Sequence, residues 1–216
     1  MKKLVVFDLD GTLIDSEDFI VWSFVEAGRL VGVGIDPELV RESIGLPLEV
    51  VVERVLKSAG ASESVVEEFL EVRRKIAREN WRRMVRLFPD VKPALEELRG
   101  MGFKLAVASS AVTERIVEFL EYFGVLGYFS VVLGVGPGVR GKPEPDVLLR
   151  VLEASNTSSQ EAVYAGDREV DCVAAQRAGV DFVLVDRKRR GTSSWSCTPR
   201  ITIESLLELP RVLKRL

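Results

Sequence analysis

The chain has 216 residues, 47% hydrophobic and 29% charged, with a formal net charge of −3. That balance describes a globular protein longer than one typical domain of about 150 residues and shorter than two, and it gives no case for nucleic acid or an acidic membrane as partner. The chain has no histidine, which excludes Ser-His-Asp hydrolysis, phosphohistidine chemistry and His-ligated zinc, and its two cysteines cannot build a four-cysteine metal site.

Leu4-Val5-Val6-Phe7 reads as a strand buried on both faces. No charged-then-apolar leader precedes it and no apolar run is long enough to cross a bilayer, so a cytoplasmic location is expected. The strand breaks at Asp8 and Asp10, followed by Gly11 and Thr12. A hairpin at Asp10-Gly11 would need a second strand. Instead, Ser16 to about Val31 carries a helical stripe of Phe19, Ile20, Phe24 and Ala27. Pro47 opens a second helix to about Ala59, closed by Gly60. Ser64-x-x-Glu67 is a capping-box pattern for a long helix running to about Phe88, ended by Pro89. Residues 15–88 therefore read as almost purely helical, without a convincing strand.

From Pro89 the pattern alternates. A helix over Val91–Arg99 precedes a strand over Phe103–Ala108 that ends in Ser109-Ser110. Thr113–Tyr122 is helical, Ser130–Leu133 is a strand, and a glycine-rich loop leads to a helix from about Glu144. Ser158-x-x-Glu161 is a second capping-box pattern, competing with a strand over Ala162–Ala165. A helix over Val170–Ala178, a strand over Asp181–Val185 and a tail helix from about Ile203, kinked at Pro210, complete the reading. Alternating strands and helices imply an α/β fold: a Rossmann-like parallel-sheet core, residues 1–14 and 89–216, with an all-helical cap inserted at residues 15–88.

Four polar signals fall at strand ends of the sheet half: Asp8/Asp10, Ser109/Ser110, Lys142, and Asp167/Asp171. Parallel strands place their carboxyl ends on one side, where ligands bind in open α/β sheets. A carboxylate at a buried strand end needs a partner, and several together repel unless a cation sits among them. With oxygen ligands only, that ion is Mg²⁺. Lys142 and a hydroxyl add the donors that a transferring phosphoryl group requires.

These residues resemble the four motifs of the haloacid dehalogenase superfamily: Asp8-x-Asp10-Gly11-Thr12, Ser109 after a strand, Lys142 in a Lys-Pro context, and Gly166-Asp167-x-x-x-Asp171. The resemblance implies Asp8 as nucleophile, forming an aspartyl-phosphate, and Asp10 as general acid and base. It implies Mg²⁺ held by the Asp8 side chain, the Asp10 carbonyl and Asp167. Ser109 (with Ser110 as the other choice) would bind the phosphoryl oxygens, Lys142 would neutralise charge, and Thr12 and Asp171 would support the site. Asp10 points to phosphate esters, because the superfamily's dehalogenases and phosphonate-cleaving members lack that second acid. The implied activity is a Mg²⁺-dependent phosphatase of small phosphorylated metabolites, phosphoglycolate-like or sugar phosphates, working as monomer or homodimer. A sugar-phosphate mutase of the β-phosphoglucomutase type uses the same acid pair and stays open. Arg168 departs from the family pattern, in which a small residue commonly follows the motif's Asp.

Two rivals and three side signals remain. Gly136 to Lys142 matches the GxxxxGK part of a nucleotide-binding P-loop, but Pro143 stands where Ser or Thr must meet Mg²⁺ and lacks the amide that cradles phosphate. Cys172 and Arg177 are one residue too close for a cysteine-phosphatase loop. Cys172 and Cys197 can pair as one disulfide, although paired cysteines are uncommon in most cytosols. The stripe Lys75, Arg78, Arg82, Arg86 is expected to be a solvated face, with Glu71 and Glu79 spaced to pair with it. Arg187 to Arg190 is expected to be a solvated loop.

Overall fold

The computed structural model describes all residues, Met1–Leu216. β1 (Leu4–Phe7) is followed by a short β2 (Ile14–Asp15) and four helices, α1 (Glu17–Leu30), α2 (Pro37–Ser43), α3 (Leu48–Ser58) and α4 (Val66–Met84). β3 (Arg86–Leu87) returns the chain to α5 (Val91–Gly100). Strand and helix then alternate through β4 (Lys104–Val112), α6 (Thr113–Tyr122), β5 (Val131–Val135), α7 (Asp146–Ala154), β6 (Ala162–Gly166), α8 (Glu169–Ala178) and β7 (Asp181–Val185). β8 (Ile201–Ile203) and α9 (Leu209–Leu213) end the fold.

Six strands form one sheet in the order β5-β4-β1-β6-β7-β8, and every pairing in it is parallel. β1 lies between β4 and β6, which is why all four of its residues are buried. Alternation along each strand divides the core in two. Val5, Phe7, Leu105, Val107, Val163 and Ala165 face α5, α6 and α9. Leu4, Val6, Ala106, Ala108, Tyr164 and Leu184 face α7 and α8. The parallel register leaves Phe7, Val107 and Ala165 side by side, so the residues that follow them emerge at one edge.

The four helices between β1 and α5 share an apolar cluster of their own, with Phe24, Val40, Val52, Val55 and Phe69 at its centre. Phe19 and Trp81 instead join the sheet-side cluster and seat this helical segment on the α/β part. The two connecting segments pair as an antiparallel ribbon, Ile14 with Leu87 and Asp15 with Arg86. This ribbon corrects the purely helical reading of residues 15–88: Val85 leaves helical geometry and ends α4 before Phe88.

Other differences have local causes. The capping box at Ser64-Glu67 is not formed; Ser62 accepts from the Ser64 amide and starts a short 3₁₀ turn instead. Asp36 caps α2, a helix that the Gly32, Gly34 and Pro37 punctuation concealed. The tail begins as strand β8, and Pro210 sits in the first turn of α9, where its missing amide costs nothing, rather than kinking a longer helix. The Ser158-Glu161 box does form, over one 3₁₀ turn that ends directly at β6.

Candidate active site

Asp8 follows β1 directly, and its amide donates to the Ala165 carbonyl at 2.9 Å, continuing the sheet by one residue. The chain then folds back, with the Leu13 and Ile14 amides both donating to the Leu9 carbonyl. Gly11 makes this turn with φ +81°, and a β-carbon there would collide with the Asp167 carboxylate. The turn holds Asp10 beside Asp8. Ser16, just before α1, donates to Asp10 Oδ1 at 2.5 Å.

Lys142 lies beyond β5, fully enclosed. Its Nζ stands 2.5 Å from Asp8 Oδ1 and 2.5 Å from Asp171 Oδ1. Burial opposes its charge, but Asp171 and Asp8 outweigh that and hold its pKa well above the ordinary lysine value. Asp171, in the first turn of α8, is fully buried, and its other oxygen accepts from the amides of Asp167 and Arg168. A β-carbon at Gly166 would come within 2.6 Å of that same carboxylate. Tyr164 places its hydroxyl 3.2 Å from Asp171 Oδ1 and 3.0 Å from the Ala108 carbonyl. Asp171 is thus far more than a helix-dipole acid, since it orients the lysine.

Burial pushes the Asp8 carboxyl well above its usual range, with Lys142 opposing. Burial also raises Asp10, against the Ser16 hydrogen bond. It drives Asp167 up to about 7, with the Arg168 guanidinium pulling the other way. The carboxylate oxygens of Asp8, Asp167 and Asp171 lie within 4.8 Å of one another. Because Asp171 is occupied by Lys142 and two amides, Asp8 and Asp167 are the members with capacity for a cation. An all-oxygen donor set with surplus negative charge fits Mg²⁺.

The resemblance favoured Ser109 and kept Ser110 as the other choice, and their hydrogen bonds differ. Ser110 donates to the Gly45 carbonyl of the helical segment at 2.8 Å and accepts from the Lys142 amide. Ser109 only accepts, from the Ala111 amide, so its proton is uncommitted. Thr12 is buried and reaches Asp167 Oδ1 at 3.4 Å. A cavity of about 240 Å³ between the helical segment and the sheet is lined by Asp8, Asp10, Ser109, Ser110 and Lys142, and also by Arg73 and Arg115. The two arginines escaped the sequence reading. The signal was there for Arg73, because Phe69, Arg73, Ala77 and Trp81 follow at four-residue spacing, a cation on the apolar stripe of α4.

Three expectations about basic residues change. Arg168 fits the site by pairing with Glu17 at 2.8 Å and Asp167 at 3.2 Å. The Arg187–Arg190 loop is not merely solvated: Arg187 binds Asp90, while Lys188 and Arg190 bind Glu17. On the α4 stripe, Arg82 reaches Glu118 of α6 rather than Glu79. Cys172 and Cys197 form a disulfide between α8 and the loop before β8, which also removes any cysteine nucleophile.

Comparison with known proteins decides the family. The model of the haloacid dehalogenase-like hydrolase family matches residues 5–185. The chain belongs to that family. Among curated haloacid dehalogenase-like relatives, a phosphoglycolate phosphatase from Aquifex aeolicus (strain VF5) is 33% identical over 183 residues, 84% of each chain. Among solved structures, one from Bacteroides fragilis described as a haloacid dehalogenase-like hydrolase shares 27% identity, with a TM-score of 0.87 over 97% of this chain and 100% of its own. One from Thermotoga maritima described as a β-phosphoglucomutase shares 25%, with a TM-score of 0.76 over 99% of each. This haloacid dehalogenase-like chain is an enzyme of the phosphatase kind, with the α/β fold of its neighbours. Lys142 ion-pairs with two acids and precedes α7 by several residues, unlike a P-loop lysine. No helix is long and apolar enough to cross a membrane.

Proposed function

We propose that the protein is a Mg²⁺-dependent phosphatase that hydrolyses small phosphomonoesters through a phosphorylated Asp8. The observation that carries this reading is the placement of Asp8 at the end of the central strand, open to the cavity, with Lys142 on one carboxylate oxygen. The other oxygen is available to attack phosphorus. As the Asp8–phosphorus bond forms, the ester oxygen leaves and Asp10 gives it a proton. Asp10 then takes a proton from water, which attacks phosphorus, releases inorganic phosphate and restores Asp8. Ser109 donates to a phosphoryl oxygen, and Lys142 offsets the charge gathered on Asp8. Asp8, Asp167 and the Asp10 carbonyl would hold Mg²⁺, which when bound supplies further neutralisation of the phosphoryl oxygens.

The helices at 15–88 act in this reading as a cap on the core of 1–14 and 89–216, with the β2–β3 ribbon as the hinge. Candidate substrates are phosphoglycolate-like compounds and sugar phosphates. The test is phosphate release over a panel of phosphorylated metabolites, with and without Mg²⁺. Asp8→Asn should lower turnover by at least about 10⁴-fold with the fold intact. Phosphate release persisting in that variant overturns the nucleophile. The likeness to the structure described as a β-phosphoglucomutase, together with the acid pair, favours a mutase as second reading. An isomerised sugar phosphate in place of free phosphate would select it.

A further inference from the structure

The cavity walls are unequal in chemistry. From the helical segment come apolar side chains such as Phe19, Phe24 and Leu48, the Gly45 backbone, and the charged Glu49 and Arg73. That side offers no serine, threonine, asparagine, glutamine or tyrosine. A sugar hydroxyl entering there would give up hydrogen bonds to water and find few replacements.

Arg73 is conspicuous on this wall. Its guanidinium stacks on Phe24, 4.2 Å from the ring centroid, and its Nε is shut off from solvent with no acceptor. Arg115 approaches the same cavity from α6. It stacks on Phe119 at 4.2 Å and Trp81 at 5.0 Å, with one nitrogen bonded to Glu118. Burial, and then the Arg115 charge, lower the Arg73 pKa to about 10, which leaves it a cation at neutral pH. Two like charges therefore share an apolar-walled space; Glu49, the acid on the cap wall, is exposed to water. Glu118 already pairs with one nitrogen of Arg115, and Asp10 on the same cavity attracts both guanidiniums, but no acceptor bonds the Arg73 Nε. A carboxylate suits the pair in particular, since its two oxygens match the planar guanidinium fork.

We propose that Arg73 and Arg115 form a second anion subsite, which selects phosphomonoesters bearing a carboxylate over neutral esters and hydroxylated sugar phosphates. The proposal rests on the phosphatase reading for its transferring phosphate, and on the orphaned arginine for its second anion. Arg73 belongs to the cap and Arg115 to the core, so a bound carboxylate would tie the two together over the reacting group.

The test compares kcat/KM for 2-phosphoglycolate, ethyl phosphate and glucose 6-phosphate in Mg²⁺. The wild-type enzyme is expected to favour the carboxylate ester over ethyl phosphate by about 10- to 100-fold. In Arg73→Gln and Arg115→Gln the ratio should fall below about 3-fold, and Arg73→Lys should restore part of it. An unchanged ratio in the glutamine variants, or a wild-type preference for ethyl phosphate or glucose 6-phosphate, overturns the subsite. If no ester is hydrolysed, the phosphatase reading fails, and calorimetric binding of the same compounds then judges the subsite. Tighter binding of 2-phosphoglycolate that Arg73→Gln abolishes supports it; equal binding of 2-phosphoglycolate and ethyl phosphate removes it.

Discussion

Two charge clusters border the cleft, and they are inverses. In one, the single cation Lys142 is set among Asp8, Asp171 and, nearby, Asp10 and Asp167. In the other, one buried acid, Glu17, receives Arg41, Arg168, Lys188 and Arg190, with Asp167, Asp18 and Glu38 sharing Arg168 and Arg41 at its edge. The first is enclosed and short of positive charge, and its geometry is fixed by amides, a tyrosine and two glycines. The second is partly open to water, its surplus cations are exposed to differing degrees, and it joins α1 and α2 to two loops of the α/β part. A buried deficit of cations is a binding site for one. A surplus of cations at a seam is a clasp, because each extra ion pair adds another point of attachment between segments. Charge imbalance alone therefore does not identify chemistry. Burial and the segments it connects decide.

Breaking the first cluster should cost most. Lys142→Met leaves Asp8 and Asp171 facing each other without their cation, and about 3–5 kcal/mol of stability should disappear in denaturant titration. A loss below about 1 kcal/mol would mean that the acids simply take up protons. The same cluster can be sharpened by filling it. Mg²⁺ at about 100 times its dissociation constant should stabilise the wild-type protein by about 2.7 kcal/mol, read as a raised Tm, and Asp167→Asn should shrink that gain.

The clasp should respond to acid. Burial pushes Glu17 up, but hydrogen bonds from Arg190, Arg41 and Lys188 outweigh it and hold the carboxyl at about 2, against an ordinary value of 4.5. A depressed folded pKa contributes stability that is complete above 4.5 and lost as pH falls toward 2. Glu17→Gln should remove roughly 2 kcal/mol at neutral pH, after allowance for solvent screening, and nothing near pH 2. Parallel stability curves for the two proteins from pH 7 to about 2 would show that the clasp carries no such linkage. The smallest effect belongs to Tyr164→Phe, which deletes a buried hydroxyl beside Asp171 and should cost about 1 kcal/mol. A neutral result would mean that Lys142 and the α8 amides orient Asp171 unaided.

The sequence made the sheet and its acids legible because both signals are local. Four apolar residues running into Asp8-x-Asp10-Gly11 announce a buried strand and its loaded end, and the Gly166-Asp167 and Lys142 signals carry the same logic. What escaped depends on partners distant in sequence. β2 and β3 have two residues each, too few for a period, and exist only because Ile14 meets Leu87 across the insertion. Ser109 and Ser110 look alike until Gly45 claims one of them. The basic loop at 187–190 read as solvent-facing because Asp90 and Glu17, its acceptors, are far earlier in the chain. Arg73 was obscured by the richer stripe of Lys75, Arg78 and Arg82 on the same helix, with Arg86, which the structure puts in β3, extending the same spacing. The one possible disulfide could be named, but whether it forms could not be read, since that depends on where α8 and the loop before β8 come together.

The hydrogen bond from Ser110 to the Gly45 carbonyl has a kinetic meaning. It ties the helical segment to β4, so any motion that parts the two must first break it. Where entry to the cavity needs that motion, an arriving molecule waits for it. Capture would be gated: at high concentration the observed association rate should level off at the opening rate instead of climbing with each added molecule. Ser110→Ala would lift that ceiling, making one hydroxyl on the end of β4 a timer for entry.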